Sequence, residues 1–197
     1  MIKKYKFIFA LIWLLLIASI LFILYRYQFK SESLKNNSGD QSYTILSKAF
    51  NLKVNTKNIF VFIHSECPCT EASLDELSRL YTRLNDDHSS DLNSYFIFSM
   101  PEGFHQDIKK SQLWQKASKF KNSELYIDHG AILVKQLNIN TSGYLLYFDS
   151  SVLKYCGGIT QSRSHRGSNK GLNHLYKLLN QDSYKFYQFP TFGCALY

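Results

Sequence analysis

The residues best suited to chemistry are Cys67 and Cys69, set two apart around Pro68 in the run Ile59-Phe-Val-Phe-Ile-His64-Ser-Glu-Cys67-Pro-Cys69-Thr70. An apolar strand leads into the pair and a segment of helical period follows, which places both thiols at a helix N-terminus. Unpaired backbone N–H groups and the positive end of the helix dipole favour a thiolate there. Thiolates of low pKa attack disulfides, react with peroxide and bind soft metals. Cys156 and Cys194 complete the set of four cysteines.

The spacing constrains what the pair can do. Pro68 holds Cys67 extended and fixes its own φ, so a Cys67–Cys69 disulfide would need a tight bend and would be strained, oxidising and readily reduced. Alternatively, one of the two attacks and a distant cysteine, Cys156 or Cys194, resolves. Four cysteines allow three pairings, and the sequence leaves the choice open. An oxidising compartment would suit a Cys156–Cys194 staple, whereas a cytoplasmic domain would keep all four thiols reduced.

Other candidates lie nearby in sequence. His64 is placed either to stabilise a thiolate when protonated or to cap the strand by hydrogen bonding. Glu66 opposes a thiolate unless it points to water. The segment Gly157–Gly171 opens on two glycines that permit close backbone approach, and it carries Arg163, His165 and Arg166. It reads either as a solvated connection or as a loop folded over a site. In the second case Arg163 would pair with a carboxylate or an anionic substrate, and His165 would donate a proton.

The elements that must position these residues alternate between strand-like and helical runs, which predicts an α/β sheet with helices packed on it. Strands are expected at Ile59–Ile63, Tyr95–Ser99, Leu125–Ile127, Tyr144–Phe148 and Val152–Tyr155, the last two joined as a hairpin by Asp149-Ser-Ser151. Helices are expected at Thr70–Leu84, Ile108–Phe120, near Ile132–Leu137 and at Leu172–Leu179. The order is β-α-β-α-β-α-β-β-α.

Ahead of this domain, Phe7–Tyr25 is a nearly unbroken apolar run, long enough to span a hydrocarbon core as a helix. Residues 1–6 form a short N-terminal segment, 7–25 the span, 26–42 a polar tether and 43–197 the domain. Lys3, Lys4 and Lys6 precede the span and Arg26 and Lys30 follow it, a small bias toward a cytoplasmic N-terminus. That orientation predicts a single-pass membrane protein whose domain is extracytoplasmic, periplasmic or at the cell surface. A cleaved signal peptide is the rival, but the run exceeds a typical signal core and no A-x-A site closes it.

The formal charge of +8 is concentrated at the membrane end: five of the 23 basic residues and no acid lie in residues 1–30, leaving eighteen bases against fifteen acids. The positives beside the span suit lipid headgroups. The near balance elsewhere, without a recognition motif, argues against a nucleic-acid partner. No phosphate loop or Ser-His-Asp order points to a nucleotide enzyme or a hydrolase.

A strand, a helix bearing cysteines at its start, a later hairpin and a closing helix together resemble the thioredoxin-like superfamily over most of residues 43–181. Within it, three segments resemble the membrane-anchored RedB-like group: His64-Ser-Glu-Cys-Pro-Cys69, Gly157-Gly158-Ile159-Thr160 with Ser162-Arg163 and His165, and Phe192-Gly193-Cys194. The resemblance implies a mixed β-sheet flanked by helices, no cofactor, and thiol–disulfide exchange with a protein partner in or near the membrane. It assigns the attack to Cys67 and resolution of the mixed disulfide to Cys69. Two departures stand out: thioredoxin-like enzymes usually carry Cys-x-x-Cys and a cis-proline before the hairpin, where this chain has Cys-Pro-Cys and Thr141-Ser142-Gly143.

Two alternatives remain. Copper-delivery proteins of the Sco type hold Cu(I) on this fold with two cysteines and a histidine, here Cys67 and Cys69 with His129 or His165, although they carry Cys-x-x-x-Cys. A non-catalytic thioredoxin-like binding module is the other, since a fold does not establish a function.

Overall fold

The computed structural model describes residues 2–30, 39–53, 55–84, 92–181 and 185–197, and it divides after Lys30 into two compact units. The first unit is a single helix, α1 (Ile2–Gln28). Within its stretch Tyr5–Gln28 an 18-residue window has a mean hydropathy of 3.1, and none of that window is buried against protein. At about 1.5 Å per residue such a helix reaches about 36 Å, long enough for a hydrocarbon core of about 30 Å.

Residues 31–38 of the expected tether lie outside the described residues. Its edges differ from expectation, because α1 runs on to Gln28 and Gly39–Ser42 form the first turn of α2 (Gly39–Phe50). The cause is a buried stripe, Ser42, Leu46 and Phe50, at intervals of four residues. The polar residues at the start of α2 disguise it as linker.

The second unit is built on a six-stranded sheet. After β1 (Lys57–His64) come α3 (Pro68–Arg83), β2 (Leu92–Met100), a 3-10 turn at Ile108–Lys110, α4 (Gln112–Ala117) and β3 (Ser123–His129). Then follow α5 (Ile132–Gln136), β4 (Tyr144–Asp149), β5 (Val152–Gly157), α6 (Lys170–Asn180) and β6 (Tyr187–Phe189). The strand order is β3-β2-β1-β4-β5-β6. The strands β1, β2 and β3 are parallel, β4 is antiparallel to both β1 and β5, and β6 is parallel to β5.

The central strand is buried along both faces, which is why Ile59-Phe-Val-Phe-Ile reads as one apolar run instead of an alternation. Successive side chains feed two separate cores. Ile59, Val61 and Ile63 join Leu74, Leu77 and Leu80 of α3 and Leu172, Leu175 and Leu178 of α6. Phe60 and Phe62 join Leu46 and Phe50 of α2, Leu133 and Val134 of α5, and Leu196 of the C-terminal tail. This sandwich fixes the end of β1, and so the start of α3, where Cys67 sits.

One expected helix is broken. Instead of a helix over Ile108–Phe120 there is a 3-10 turn, then an extended Ser111 at ψ 148°, then α4. Asp107 and Ser111 each accept a backbone N–H two or three residues on, from Lys109 and Trp114, so two local caps start two short elements.

Candidate functional site

Cys67 is the N-cap of α3, extended at φ −82° and ψ 109°, and Pro68 follows at the first helical position. Its carbonyl accepts the N–H of Thr70 at 3.1 Å and of Glu71 at 3.3 Å, and its own N–H reaches the His64 carbonyl at 3.0 Å. The side chain makes no cap bond to the helix backbone of the usual Ser or Asp kind. Its sulfur instead accepts the backbone N–H of Cys194 at 3.3 Å. Burial raises the Cys67 pKa, yet hydrogen bonds from Cys194 and Thr70 outweigh burial and hold the thiol below its ordinary value.

Cys194 therefore belongs to the site. Among the described residues, the sulfurs of Cys67, Cys69 and Cys194 form a cluster whose members all lie within 4.8 Å of one another. Burial, the hydrogen bond to Cys67 and the negative charge of that neighbour push the Cys194 thiol up to about 12, against an opposing pull from Arg163. Of the two, Cys67 is the sulfur that gives up its proton more readily and Cys194 the one that holds it. Cys69 is buried on the first turn of α3, with the Ser164 hydroxyl 3.6 Å from its sulfur.

The tail that delivers Cys194 is tied by its backbone. Thr141 and Ala195 form an antiparallel bridge, flanked by Ser142 N–H to the Cys194 carbonyl at 2.8 Å and Leu196 N–H to the Asn140 carbonyl at 2.9 Å. Ser99 Oγ donates to the Leu196 carbonyl at 2.8 Å, and the Leu196 side chain is wholly buried. Gly193 is required for this seat, since a Cβ there would lie 1.9 Å from the Ser142 carbonyl oxygen.

Ser142, just before the β4–β5 hairpin, is a polar hinge between strand, helix and tail. Its hydroxyl accepts the His64 N–H at 2.7 Å and lies 2.5 Å from the Thr70 hydroxyl. Gly143 turns the chain at φ +85° while its N–H meets the Phe62 carbonyl at 2.8 Å.

The loop 158–169 folds over the start of α3, as the second of its two readings required. Gly167 N–H donates to the buried carboxylate of Glu76 at 2.6 Å, and Arg166 Nε donates to Asp75 at 2.7 Å. Lys116 of α4 bridges Glu71 and Asp75 at 2.7 and 2.8 Å. These acids are thereby neutralised by protein cations, and Lys116 and Arg166 hold Asp75 below the usual carboxylate range against the upward push of burial. Arg163 faces Cys194 through its charge, while His165 is exposed.

His64 accepts the Glu66 N–H through Nδ1 at 3.3 Å and meets Phe104 edge-on, the hydrogen-bonding one of its two readings. Other expectations are corrected. The two-cysteine, one-histidine copper set is not assembled, because neither His129 nor His165 belongs to the sulfur cluster. Three sulfurs remain as the soft donor set. The Cys156–Cys194 staple does not form either: Cys156 is a free thiol packed on β5 among Leu46, Phe60 and Leu146. The close approaches at Gly157 and Gly158 serve the chain itself, receiving Phe189 and Pro190.

A cavity of about 610 Å³ opens beside the cluster. Its walls are Ser65–Pro68 and Glu71, with Gln106, Asp107 and Lys110–Leu113. Cys67 lines it while being only 1% exposed.

No family model matches the chain, and no curated protein does. Solved structures do. An uncharacterized conserved protein from Geobacillus kaustophilus is 18% identical with a TM-score of 0.58, covering 74% of this chain and 79% of its own. A hypothetical protein from Sinorhizobium meliloti 1021 is 17% identical with a TM-score of 0.56, over 72% and 79%. A thioredoxin-like protein from Aeropyrum pernix covers 83% of this chain and 94% of its own at 14% identity and a TM-score of 0.45. Three parallel strands, an antiparallel hairpin and cysteines where the central strand enters a helix make one pattern. The domain has a thioredoxin-like fold. Within that fold the thiols occupy the strand-to-helix junction, where the first unpaired N–H groups of α3 point.

Proposed function

We propose that the protein is a membrane-anchored thiol–disulfide oxidoreductase in which Cys67 is the attacking thiolate and Cys69 belongs to the reacting thiol set. One observation carries the reading: a thiol with a lowered pKa stands at the N-cap position of a helix, and its sulfur is hydrogen-bonded by a second cysteine inside a three-sulfur cluster. In the reaction Cys67 Sγ attacks a partner disulfide and one partner sulfur leaves as thiolate. A second thiol of the cluster then displaces the other partner sulfur. Two electrons pass from the cysteine pair to the partner.

The apolar helix α1 supports anchoring, and the lysines before it support a domain outside the cytoplasm. The partner is then a protein thiol or disulfide in or near the same membrane. The narrower RedB-like assignment rests on the three sequence segments around Cys67, Ser162 and Cys194. No cofactor is needed, because sulfur carries the electrons.

The test is disulfide exchange by the full chain in detergent micelles. Wild type reduces glutathione disulfide in the presence of a dithiol, and Cys67→Ser abolishes the reaction. Full activity in both Cys67→Ser and Cys69→Ser contradicts the assignment. Stoichiometric Cu(I) uptake without exchange would favour metal delivery, and inert thiols without copper uptake a binding module.

A further inference from the structure

We infer that Cys194 is the resolving thiol: once Cys67 has formed a mixed disulfide, the Cys194 sulfur attacks Cys67 Sγ, expels the partner thiolate and leaves a Cys67–Cys194 disulfide. This rests on the redox reading above and fixes which second cysteine acts in it.

Geometry favours Cys194 over Cys69. Closing a bond between Cys67 and Cys69 means bending a backbone held by Pro68 and by two hydrogen bonds from Thr70 and Glu71 to the Cys67 carbonyl. The Cys69 sulfur also has its own partner in Ser164. Cys194 arrives from a separate segment, with its N–H already on Cys67 Sγ and its carbonyl on Ser142. Two backbone hydrogen bonds, at Asn140 and Ser142, make the bridge that holds it there, with Leu196 buried. Such fixed proximity is worth orders of magnitude in rate over a thiol free in solution.

The electrostatics give the order of events. While Cys67 is a thiolate, it accepts from Cys194 and repels negative charge there, so Cys194 stays protonated and does not compete for substrate. When Cys67 becomes a neutral mixed disulfide, both of those upward influences vanish, leaving burial and Cys69 against the pull of Arg163. Cys194 then releases its proton to water or to the first departing thiolate and attacks. The balance is one partner disulfide reduced to two thiols against two cysteine thiols oxidised to one disulfide. An external dithiol restores them.

The experiment uses the reduced full chain in detergent micelles with one equivalent of dithiobis-nitrobenzoate, following release of the coloured thiolate and mapping the products by peptide mass. Wild type should release two equivalents in two phases and yield a Cys67–Cys194 disulfide. Cys194→Ser should release one equivalent and keep the adduct on Cys67, with the second release slowed at least about tenfold. Gly193→Ala retains every thiol but cannot seat the tail on Ser142, and it should show the same delay. A second phase at the wild-type rate in Cys194→Ser, or a wild-type product mapped to Cys67–Cys69, overturns the inference while leaving the redox reading intact. Undiminished first release in Cys67→Ser removes the redox reading and the inference with it.

Discussion

Cys156 and Cys194 look alike in the sequence, each far from the Cys-Pro-Cys motif and each near glycine, but the fold gives them opposite environments. Cys156 lies on β5 inside an apolar core, where burial pushes its thiol up despite a hydrogen bond with Tyr144. Cys194 lies on a backbone-tied tail, where a neighbouring thiolate adds to burial in keeping its proton on. The first is a small hydrophobe; the second is held protonated by the very group it would serve. Reactivity here is set by which sulfur a cysteine faces and not by residue type.

The largest expected effect separates Cys156 from Cys67. Cys67→Ser should eliminate disulfide exchange, whereas Cys156→Ala should leave it within about twofold and cost only about 1 kcal/mol in stability, as for other small core truncations. A turnover assay with a urea melt reads both, and lost exchange in Cys156→Ala would break the contrast.

Next comes the anchor of the tail. Leu196→Ala removes a fully buried side chain from the α2/α5 core and should destabilise the protein by about 2–4 kcal/mol. It should also slow closure of the Cys67–Cys194 bridge. A change in melting temperature without slower closure would show that Leu196 supports the core alone.

A smaller loss is expected at Glu76, whose carboxylate receives Gly167 N–H and Arg79. Glu76→Ala leaves that N–H without its acceptor, for about 1–3 kcal/mol, and should loosen the loop that carries Ser164 onto Cys69. Hydrogen exchange at Gly167 checks it, with unchanged protection as the contrary result.

The smallest effect is electrostatic. The Asp75 carboxyl titrates below its unfolded value, so its contribution is present above the ordinary carboxylate range and is lost as pH falls through the lowered value. The melting-temperature gap between wild type and Asp75→Asn should therefore close as pH drops from about 5 to about 2. A gap that persists in acid would mean that Lys116 and Arg166 are held by other groups.

The contrast also shows what a sequence can reveal. β1, α3 and the β4–β5 hairpin are legible because burial on both faces, a four-residue leucine stripe and a Ser-rich turn leave local marks. The placement of Cys67 at a helix start follows from the same marks. α2 is masked by the polar residues of its first turn, and β6 is too short to show a period. The break at Ser111 is signalled only by capping side chains inside an otherwise helical pattern. The tail bridge at Asn140–Ser142 is invisible for a deeper reason: backbone hydrogen bonds carry no side-chain signature. The single trace is Gly193, where close approach demands the absence of a Cβ. Cys194 joins Cys67 across 127 residues, a contact that spacing alone does not determine.

The most direct test of the central claim is the pH dependence of iodoacetamide alkylation in the full chain, read at each cysteine by peptide mass. Cys67 should alkylate with a midpoint below the ordinary thiol value of about 8.5, and Cys156 should stay unreactive well above it. Replacing Cys194 by Ala should move the Cys67 midpoint upward by removing the S–H donor. A Cys67 that titrates at or above the ordinary value would contradict the account.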